Sequence, residues 1–167
     1  MKRMVRGLFA AVAALVLAAA VAACKNNTEP TPIPIAIAPA TVTENFSGTL
    51  FVSGSNLHIF AVAKDGEVHV TLTAVSTIAV DADPNAVPPV AAIPAAPVTV
   101  PMTLTVGQPA LTTLGVQCSS LKQTAVLPGA REQLSGQALA GSFCVSISDP
   151  NGELPRAASY AITVTHS

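Results

Sequence analysis

Alternating apolar residues are the feature that most limits how this chain can fold. From about residue 44 onward, apolar side chains recur at every second position, and no stretch keeps a helical period. A period of two is typical of β-strands that bury one face. In one such segment, Val68, Val70 and Leu72 would lie on one side, and His69 and Thr71 on the other. The pattern therefore predicts an all-β fold.

The clearest local signal lies in residues 56–75, NLHIFAVAKDGEVHVTLTAV. Two strand-like runs there flank the tetrapeptide Lys64-Asp65-Gly66-Glu67. An Asp-Gly pair between such runs is a strong hairpin signal, because both central residues of the preferred turn need positive φ. We therefore predict that these two runs pair with each other. Further strands are predicted at residues 45–52, 101–106, 115–118, 133–139, 142–149 and 159–166.

The spacing of these segments indicates the architecture of the domain. Short strands separated by turn sequences such as Asp149-Pro150-Asn151-Gly152 predict an antiparallel β-sandwich. Six of the fourteen prolines fall in residues 84–101. Because proline cannot occupy a central strand, this stretch is predicted as a loop or insertion on the surface of the sandwich.

The N-terminal segment has the features of an export signal. Three basic residues in the first six positions precede an apolar run over residues 8–23, which is shorter than the roughly 20 strongly apolar residues of a membrane span. The run ends in Val21-Ala22-Ala23-Cys24, which resembles the bacterial lipobox. Residues 1–23 are therefore predicted as a lipoprotein signal peptide, with Cys24 lipidated after cleavage. An ordinary secreted protein and an uncleaved anchor helix are the alternatives.

Residues 24–43 are predicted as a tether between the lipid and the folded domain, because four prolines favour an extended spacer. An edge strand formed by Ile33, Ile35 and Ile37 is the alternative. Lys25 follows Cys24, whereas an Asp in that place favours retention of enterobacterial lipoproteins at the inner membrane. The expected location is therefore the cell envelope, at the outer membrane where the cell has one.

Charge and cysteine content limit the partners and the compartment. The processed chain would carry five basic and nine acidic side chains, which argues against nucleic acid as a partner. Export to an oxidising compartment predicts a disulfide between the two remaining cysteines, Cys118 and Cys144, with two free thiols as the alternative. If Phe143, Val145 and Ile147 face the core, Cys144 lies on the opposite face of its strand. The bridge is therefore predicted as a clasp on the surface.

Several of these strands, taken in order, resemble those of bacterial pre-peptidase C-terminal (PPC-type) domains over residues 44–166. The motifs that carry the resemblance lie in Phe46–Leu50, His58–Val62, Gly66–Leu72, Leu139–Asp149 and Ser159–Val164. The resemblance implies a jelly-roll-like β-sandwich over residues 44–167. It also implies an accessory module for secretion, anchoring or substrate contact that carries no active site. The Pro/Ala-rich insertion at residues 84–101 departs from the family pattern.

Few residues offer chemistry of their own. Asp81, Asp83 and Asn85 have the spacing of calcium ligands, but the glycine and the bidentate glutamate of a calcium loop are missing, so a structural turn is favoured. Asp81, Asp83 and Asp149 remain weak candidates for a calcium site, and no other metal site is predicted. His58 and His69 are predicted on a solvated face, offset from each other.

The expected function is therefore non-enzymatic. The hydrolase, zinc-protease and nucleotide-binding motifs do not occur in the sequence, and neither a catalytic residue nor a cofactor is predicted. Sugar binding is disfavoured because the chain has no Trp, while Phe60, Phe143 and Tyr160 are expected to face the core. We expect a lipid-anchored structural or protein-interaction module whose partners are the membrane and another envelope or secreted protein. The alternative is an envelope receptor for calcium, a glycan or a peptide.

Overall fold

The computed structural model describes residues 40–167, which form eight β-strands. The predicted signal peptide, the lipidation site Cys24 and the tether up to residue 39 lie outside the described residues. The strands are β1 (Val42–Leu50), β2 (Ser55–Val62), β3 (Gly66–Thr77), β4 (Met102–Thr112), β5 (Gly115–Val126), β6 (Leu134–Ala138), β7 (Gly141–Ser148) and β8 (Ala158–His166).

The strands form two antiparallel four-stranded sheets, which confirms the predicted all-β sandwich. One sheet has the order β1-β8-β3-β6 and the other the order β2-β7-β4-β5. The strands β1 to β4 therefore alternate between the two sheets. The strand orders of the two sheets together are those of a jelly roll. Within residues 40–167, no helix reaches the length and hydropathy that crossing a membrane requires.

The core lies between the two sheets and contains the inward side chains of the alternating pattern. The largest wholly buried apolar residues are Leu50, Val70, Leu72, Met102, Leu104, Val145, Ile147, Ile162 and Val164. Phe60 and Phe143 stack across neighbouring strands with their ring centroids 6.0 Å apart. These two rings and Tyr160 are buried, as predicted from their positions in the alternation.

The predicted hairpin around Asp65-Gly66 is wrong. β2 pairs with β7 in one sheet, whereas β3 pairs with β8 and β6 in the other, so the chain crosses between sheets here. Positive φ within the described residues occurs at Ser53, Gly115, Gly141 and Gly152, and not in this turn. Gly66 is needed for a different reason, since a Cβ there would collide with the side chain of Ser167.

Among the eight strands, β4 and β5 form a hairpin. Their pairing runs from Met102 opposite Val126 to Thr112 opposite Gly115, with a two-residue turn between them. The sequence predicted strands over only the first half of β4 and the first third of β5. The missed part of β4 extends beyond the buried half of that strand, and the missed part of β5 is almost wholly exposed along the edge of the sheet, so no buried face imposes alternation on either.

The pairing defines two ends of the sandwich. Val42 lies opposite His166 at one end of the first sheet, and Leu50 and Thr77 both lie opposite Ala158 at the other. We call the end where β1 begins the proximal end and the end where β1 stops the distal end. The β4–β5 turn lies at the proximal end, and the chain that follows Thr77 leaves the distal end.

Candidate functional site: the arm at the distal end

Residues 78–97 form a two-stranded projection that we call the arm. Val80 and Ile93 exchange two backbone hydrogen bonds of 2.9 and 2.8 Å, and Asp83 and Val90 exchange two of 3.0 and 2.9 Å. These pairs and the pair Ser76–Pro97 share one register, so the arm is a single hairpin that begins before the predicted insertion at residue 84.

The arm has this irregular form because proline removes backbone donors along it. Five prolines between residues 84 and 97 leave isolated bridges instead of a continuous ladder. At the turn, the Asp83 carboxylate accepts a 3.0 Å hydrogen bond from the backbone N–H of Asn85. Asp83 therefore stabilises the turn itself, which is the structural role that the sequence favoured for it.

Most of the arm is apolar and exposed. Val80–Ile93 and Asp83–Val90 are both hydrogen-bonded pairs although they lie three residues apart, so the regular alternation of a two-stranded ribbon is broken between them. The exposed large apolar side chains of the arm are Ile78, Val80, Val87, Val90 and Ile93. We call this exposed apolar surface the apolar face of the arm; the arm also carries two acidic residues, Asp81 and Asp83.

Arg156 fixes the base of the arm. Its Nη2 donates a 2.9 Å hydrogen bond to Thr77 Oγ1 and a 2.6 Å hydrogen bond to the Pro94 carbonyl oxygen. Thr77 Oγ1 in turn accepts a 3.0 Å hydrogen bond from the backbone N–H of Ala96. Arg156 was missed by the sequence analysis, because its partners lie 79 and 62 residues away and no local motif marks it.

A cavity of about 340 Å³ lies beside this base. It is lined by Thr77, Ala96, Pro97, Val98, Thr99, Val100, Glu153, Pro155 and Arg156. The buried Nε of Arg156 has no hydrogen-bond partner. The volume is at the lower end of the roughly 300–1,000 Å³ that is usual for small-molecule sites. The cavity therefore combines apolar walls with one cationic and one anionic side chain, Arg156 and Glu153.

Asp149 supports the distal end below the arm. Its carboxylate is 1% exposed and accepts hydrogen bonds from the backbone N–H groups of Ser53 (3.1 Å), Glu153 (2.8 Å) and Leu154 (3.2 Å). Burial raises the pKa of Asp149, but these backbone donors outweigh burial and hold the pKa below its ordinary value. Asp149 therefore joins the β1–β2 turn to the β7–β8 loop, which carries Arg156.

The three weak calcium candidates lie in two different elements. Asp81 and Asp83 belong to the arm, whereas all three hydrogen bonds to the Asp149 carboxylate come from backbone donors of two loops. Among residues 40–167, no group of three or more His, Cys, Asp or Glu side chains has the geometry to hold a metal ion.

The histidines have structural partners. His58 is half-buried, contrary to the predicted solvated face: its ring stacks on Phe46 at 4.9 Å, and its Nε2 shares a 2.7 Å hydrogen bond with the Tyr160 hydroxyl. Burial lowers the pKa of His58. His166 is buried in β8 and contacts Glu44 at 2.9 Å.

His69 differs from these two because it lies on the outer face of β3. It contacts Glu67 at 3.4 Å and also contacts Glu132. Hydrogen bonds from Ser135 and His69, together with the charges of His69 and Lys122, outweigh a small desolvation effect and lower the pKa of Glu132. His69 therefore forms a surface cluster with two carboxylates.

Two further cavities are smaller than the one at the arm. One of about 70 Å³ lies at the open side of the sandwich between β5 and β6, where Val68, Leu134 and Phe143 line it. The other, of about 260 Å³, lies at the proximal end and is lined partly by His69 and His166. Both volumes fall below the usual range for small-molecule sites.

The predicted disulfide between Cys118 and Cys144 is present, with the two Cα atoms 5.7 Å apart. Its predicted position on the surface needs correction, because Cys144 is fully buried. A bulge at Val106/Gly107 lets β5 fold closely over β4, and a Cβ at Gly107 would collide with the backbone of Ser119. Alternation along β7 does turn Cys144 away from the core, but β5 covers that face.

Comparisons with known proteins do not assign the chain to a family. No family model and no curated protein matches the chain. Among solved structures, the chain is similar to the Yersinia pseudotuberculosis-derived mitogen, with 12% identity, 77% of this chain and 88% of that chain covered, and a TM-score of 0.42. The fold and the site thus define a jelly-roll β-sandwich with an exposed apolar arm.

Proposed function

We propose that the protein is a non-enzymatic, lipid-anchored module of the bacterial cell envelope whose arm binds another envelope or secreted protein. The observation that supports this function is the exposed apolar face of the arm. Soluble domains rarely expose contiguous apolar surface unless it meets a partner. A two-stranded ribbon alone is also marginally stable in water, so a surface that covers it would stabilise it further.

Burial of the apolar face would contribute part of the energy of a specific contact. Ile78, Val80 and Ile93 are each about two-fifths exposed. Full burial of such side chains contributes about 1.5–3 kcal/mol each, so burying the exposed remainder of all three contributes on the order of 3 kcal/mol. The unpaired backbone edges of the arm could add main-chain hydrogen bonds to a partner strand.

The anchor is proposed from the N-terminal sequence. Cys24 would carry acyl chains that each contribute about 0.8 kcal/mol per buried CH₂ group, which holds the protein on a membrane. The described chain begins at the proximal end of the sandwich, and the arm leaves from the distal end. This arrangement supports a partner on the side away from the anchor, and the resemblance to PPC-type domains favours the same accessory role.

The alternative function, an envelope receptor for calcium, a glycan or a peptide, has one observation in its favour. The cavity at the base of the arm has the volume of a small ligand site and is lined by Arg156 and Glu153. A guanidinium in an apolar wall suits a carboxylate, so a peptide is the ligand class that this cavity favours among the three.

Site-specific photo-crosslinking in native membranes tests the proposed function. A photoreactive residue at Val80, on the apolar face, should give an adduct with a defined envelope or secreted protein. The same residue at Gln123, which is exposed in β5 outside the arm, serves as the control and should not give that adduct. A Cys24→Ala form, which lacks the proposed lipid, should lose the adduct. Identical adducts from both positions would contradict the proposal.

A matched pair of variants then tests the large apolar side chains of the arm. Val80→Ser with Ile93→Ser removes two of them, whereas Ala79→Ser with Ala92→Ser changes small exposed side chains at neighbouring positions. Only the first pair should reduce co-purification of the crosslinked partner. Equal losses would show that the apolar face is not the binding surface.

A further inference from the structure

A second exposed apolar element lies at the proximal end of the sandwich. We call it the tip; it comprises residues 109–117, around the β4–β5 turn. Leu111 and Leu114 are each 86% exposed there, and Val116 is 49% exposed. No charged residue and no histidine occurs between Asp83 and Lys122. The tip therefore carries no charge that would oppose its transfer from water to an apolar phase.

The structure holds the tip out in a fixed direction. Pairing between β4 and β7 stops where Gly107 lies opposite Cys144, and the hairpin continues for five more residues of β4. The disulfide from Cys118 to Cys144 ties the returning strand to the sandwich at this point. A projection that is already ordered loses little conformational entropy when it binds a surface.

The Thr112 hydroxyl satisfies two backbone groups of the turn. Thr112 Oγ1 donates a 2.8 Å hydrogen bond to the Gly115 carbonyl oxygen, and it accepts a 3.2 Å hydrogen bond from the backbone N–H of Leu114. An unsatisfied backbone group is costly in a bilayer, where no water replaces the lost partner. This internal bonding lowers the cost of removing the turn from water.

We propose that the tip inserts Leu111 and Leu114 into the surface of a lipid bilayer, as a second membrane contact beside the acyl anchor. The inference rests on the proposed membrane anchoring. Cys24 precedes Val42 by 18 residues, which span at most about 65 Å when fully extended, so a bilayer that holds Cys24 is within reach of the proximal end.

The composition of the tip favours lipid over a protein partner. The tip has no charged side chain to desolvate, and charged side chains are costly inside a bilayer. Its side chains are leucine, valine, threonine and other uncharged residues. The arm differs in carrying Asp81 and Asp83 and in leaving from the distal end, so the two apolar elements suit different partners.

Tryptophan fluorescence provides a direct test, because the natural chain contains no Trp. The full chain with Leu114→Trp is reconstituted into phosphatidylcholine vesicles whose acyl chains carry bromine, a contact quencher. Interfacial apolar groups reach about 5–10 Å into the headgroup and acyl boundary, so we expect loss of indole fluorescence and a shift of its emission to shorter wavelength. Leu111→Trp, at the neighbouring exposed position, should behave in the same way.

The control is Val87→Trp, at the turn of the arm, where the side chain is 99% exposed. Its fluorescence should not change in brominated vesicles. Flotation of the same vesicles reports anchoring separately. Floating protein with unquenched Leu114→Trp and Leu111→Trp variants would overturn the tip contact and leave the anchor intact. Protein that neither floats nor is quenched would overturn both, and equal quenching at Val87→Trp would overturn the orientation that the proposal requires.

Discussion

The arm and the tip are both exposed apolar hairpins, but different forces hold them. The arm contains isolated bridges, and the hydrogen bonds of Arg156 fix its base on a loop that Asp149 organises. The tip continues the backbone ladder between β4 and β5, and the disulfide of Cys118, at the base of the tip, joins it to β7. One fold therefore holds two similar apolar surfaces in place by different interactions. We expect acid to loosen the arm before the tip, and a reductant to loosen the tip before the arm.

Removal of the disulfide should have the largest effect on stability. The bridge closes a loop of 26 residues, so Cys118→Ser with Cys144→Ser should lower the free energy of unfolding by about 3–4 kcal/mol in the chain-entropy model. Urea unfolding measures this loss. Hydrogen exchange should rise in residues 108–119 more than in the arm. A reductant should destabilise the natural protein and leave the double variant unchanged; a further loss in the variant would contradict the assignment.

Asp149→Asn should have the second largest effect on stability, and it should act at the distal end of the sandwich. Hydrogen bonds to a charged group contribute about 1.5–3 kcal/mol, and the variant replaces the charged acceptor of three backbone donors, so we expect a loss of about 2 kcal/mol near pH 7. Urea unfolding measures it. Asp81→Asn, at an exposed position in the arm, is the matched control and should leave stability nearly unchanged.

The same variant tests the acid sensitivity. Because folding lowers the pKa of Asp149, its stabilisation is complete above the unfolded value of about 3.9 and is lost as the pH falls through the folded value. The natural protein should therefore lose stability with acid more steeply than Asp149→Asn does. Equal slopes for the two proteins would show that another group controls the acid response.

Arg156→Ala should have a smaller and more local effect. The loss of its hydrogen bonds to Thr77 and Pro94 should weaken the base of the arm by about 1 kcal/mol, which corresponds to roughly fivefold faster exchange of the Val80 and Ile93 amides. Arg131→Ala removes an equal charge from an exposed position and is the control. Faster exchange in the tip, or equal effects from both variants, would contradict a local role.

Substitution of the exposed leucines should change stability least. Leu111→Ser with Leu114→Ser should stay within about 0.5 kcal/mol of the natural protein, as exposed positions usually do. Leu72→Ala, in the core, should cost about 2–5 kcal/mol. Urea unfolding of the three proteins checks this contrast. A large loss from the leucine pair would mean that the tip stabilises the fold instead of serving contact.

The sequence predicted the parts of the fold that depend on one strand at a time. Along β7, alternation placed Phe143, Val145 and Ile147 in the core and turned Cys144 away from it, as the structure shows. The same reasoning missed that β5 folds over Cys144, because this contact depends on a bulge and on a close approach at Gly107. Neither feature leaves a local pattern.

The parts that failed depend on residues far apart in the chain. Asp65-Gly66 is a sound hairpin signal locally, but β2 and β3 find better partners in β7 and β8, about 80 to 100 residues later. Proline content identified the insertion as a surface element, yet the register of the arm begins before the prolines, at Ser76. Arg156 could not be predicted either, because its partners are brought to it only by the completed fold.

The position of β8 has a consequence for biogenesis. β8 is the last of the eight described strands, but it lies inside its sheet, between β1 and β3. A polypeptide that emerges from a ribosome or a translocation channel N-terminus first therefore holds β1 and β3 without their shared neighbour until the final strand arrives. Pairing between strands so far apart in sequence is slow to form. The sheet that contains β1, β8 and β3 is therefore completed only after β8 is available.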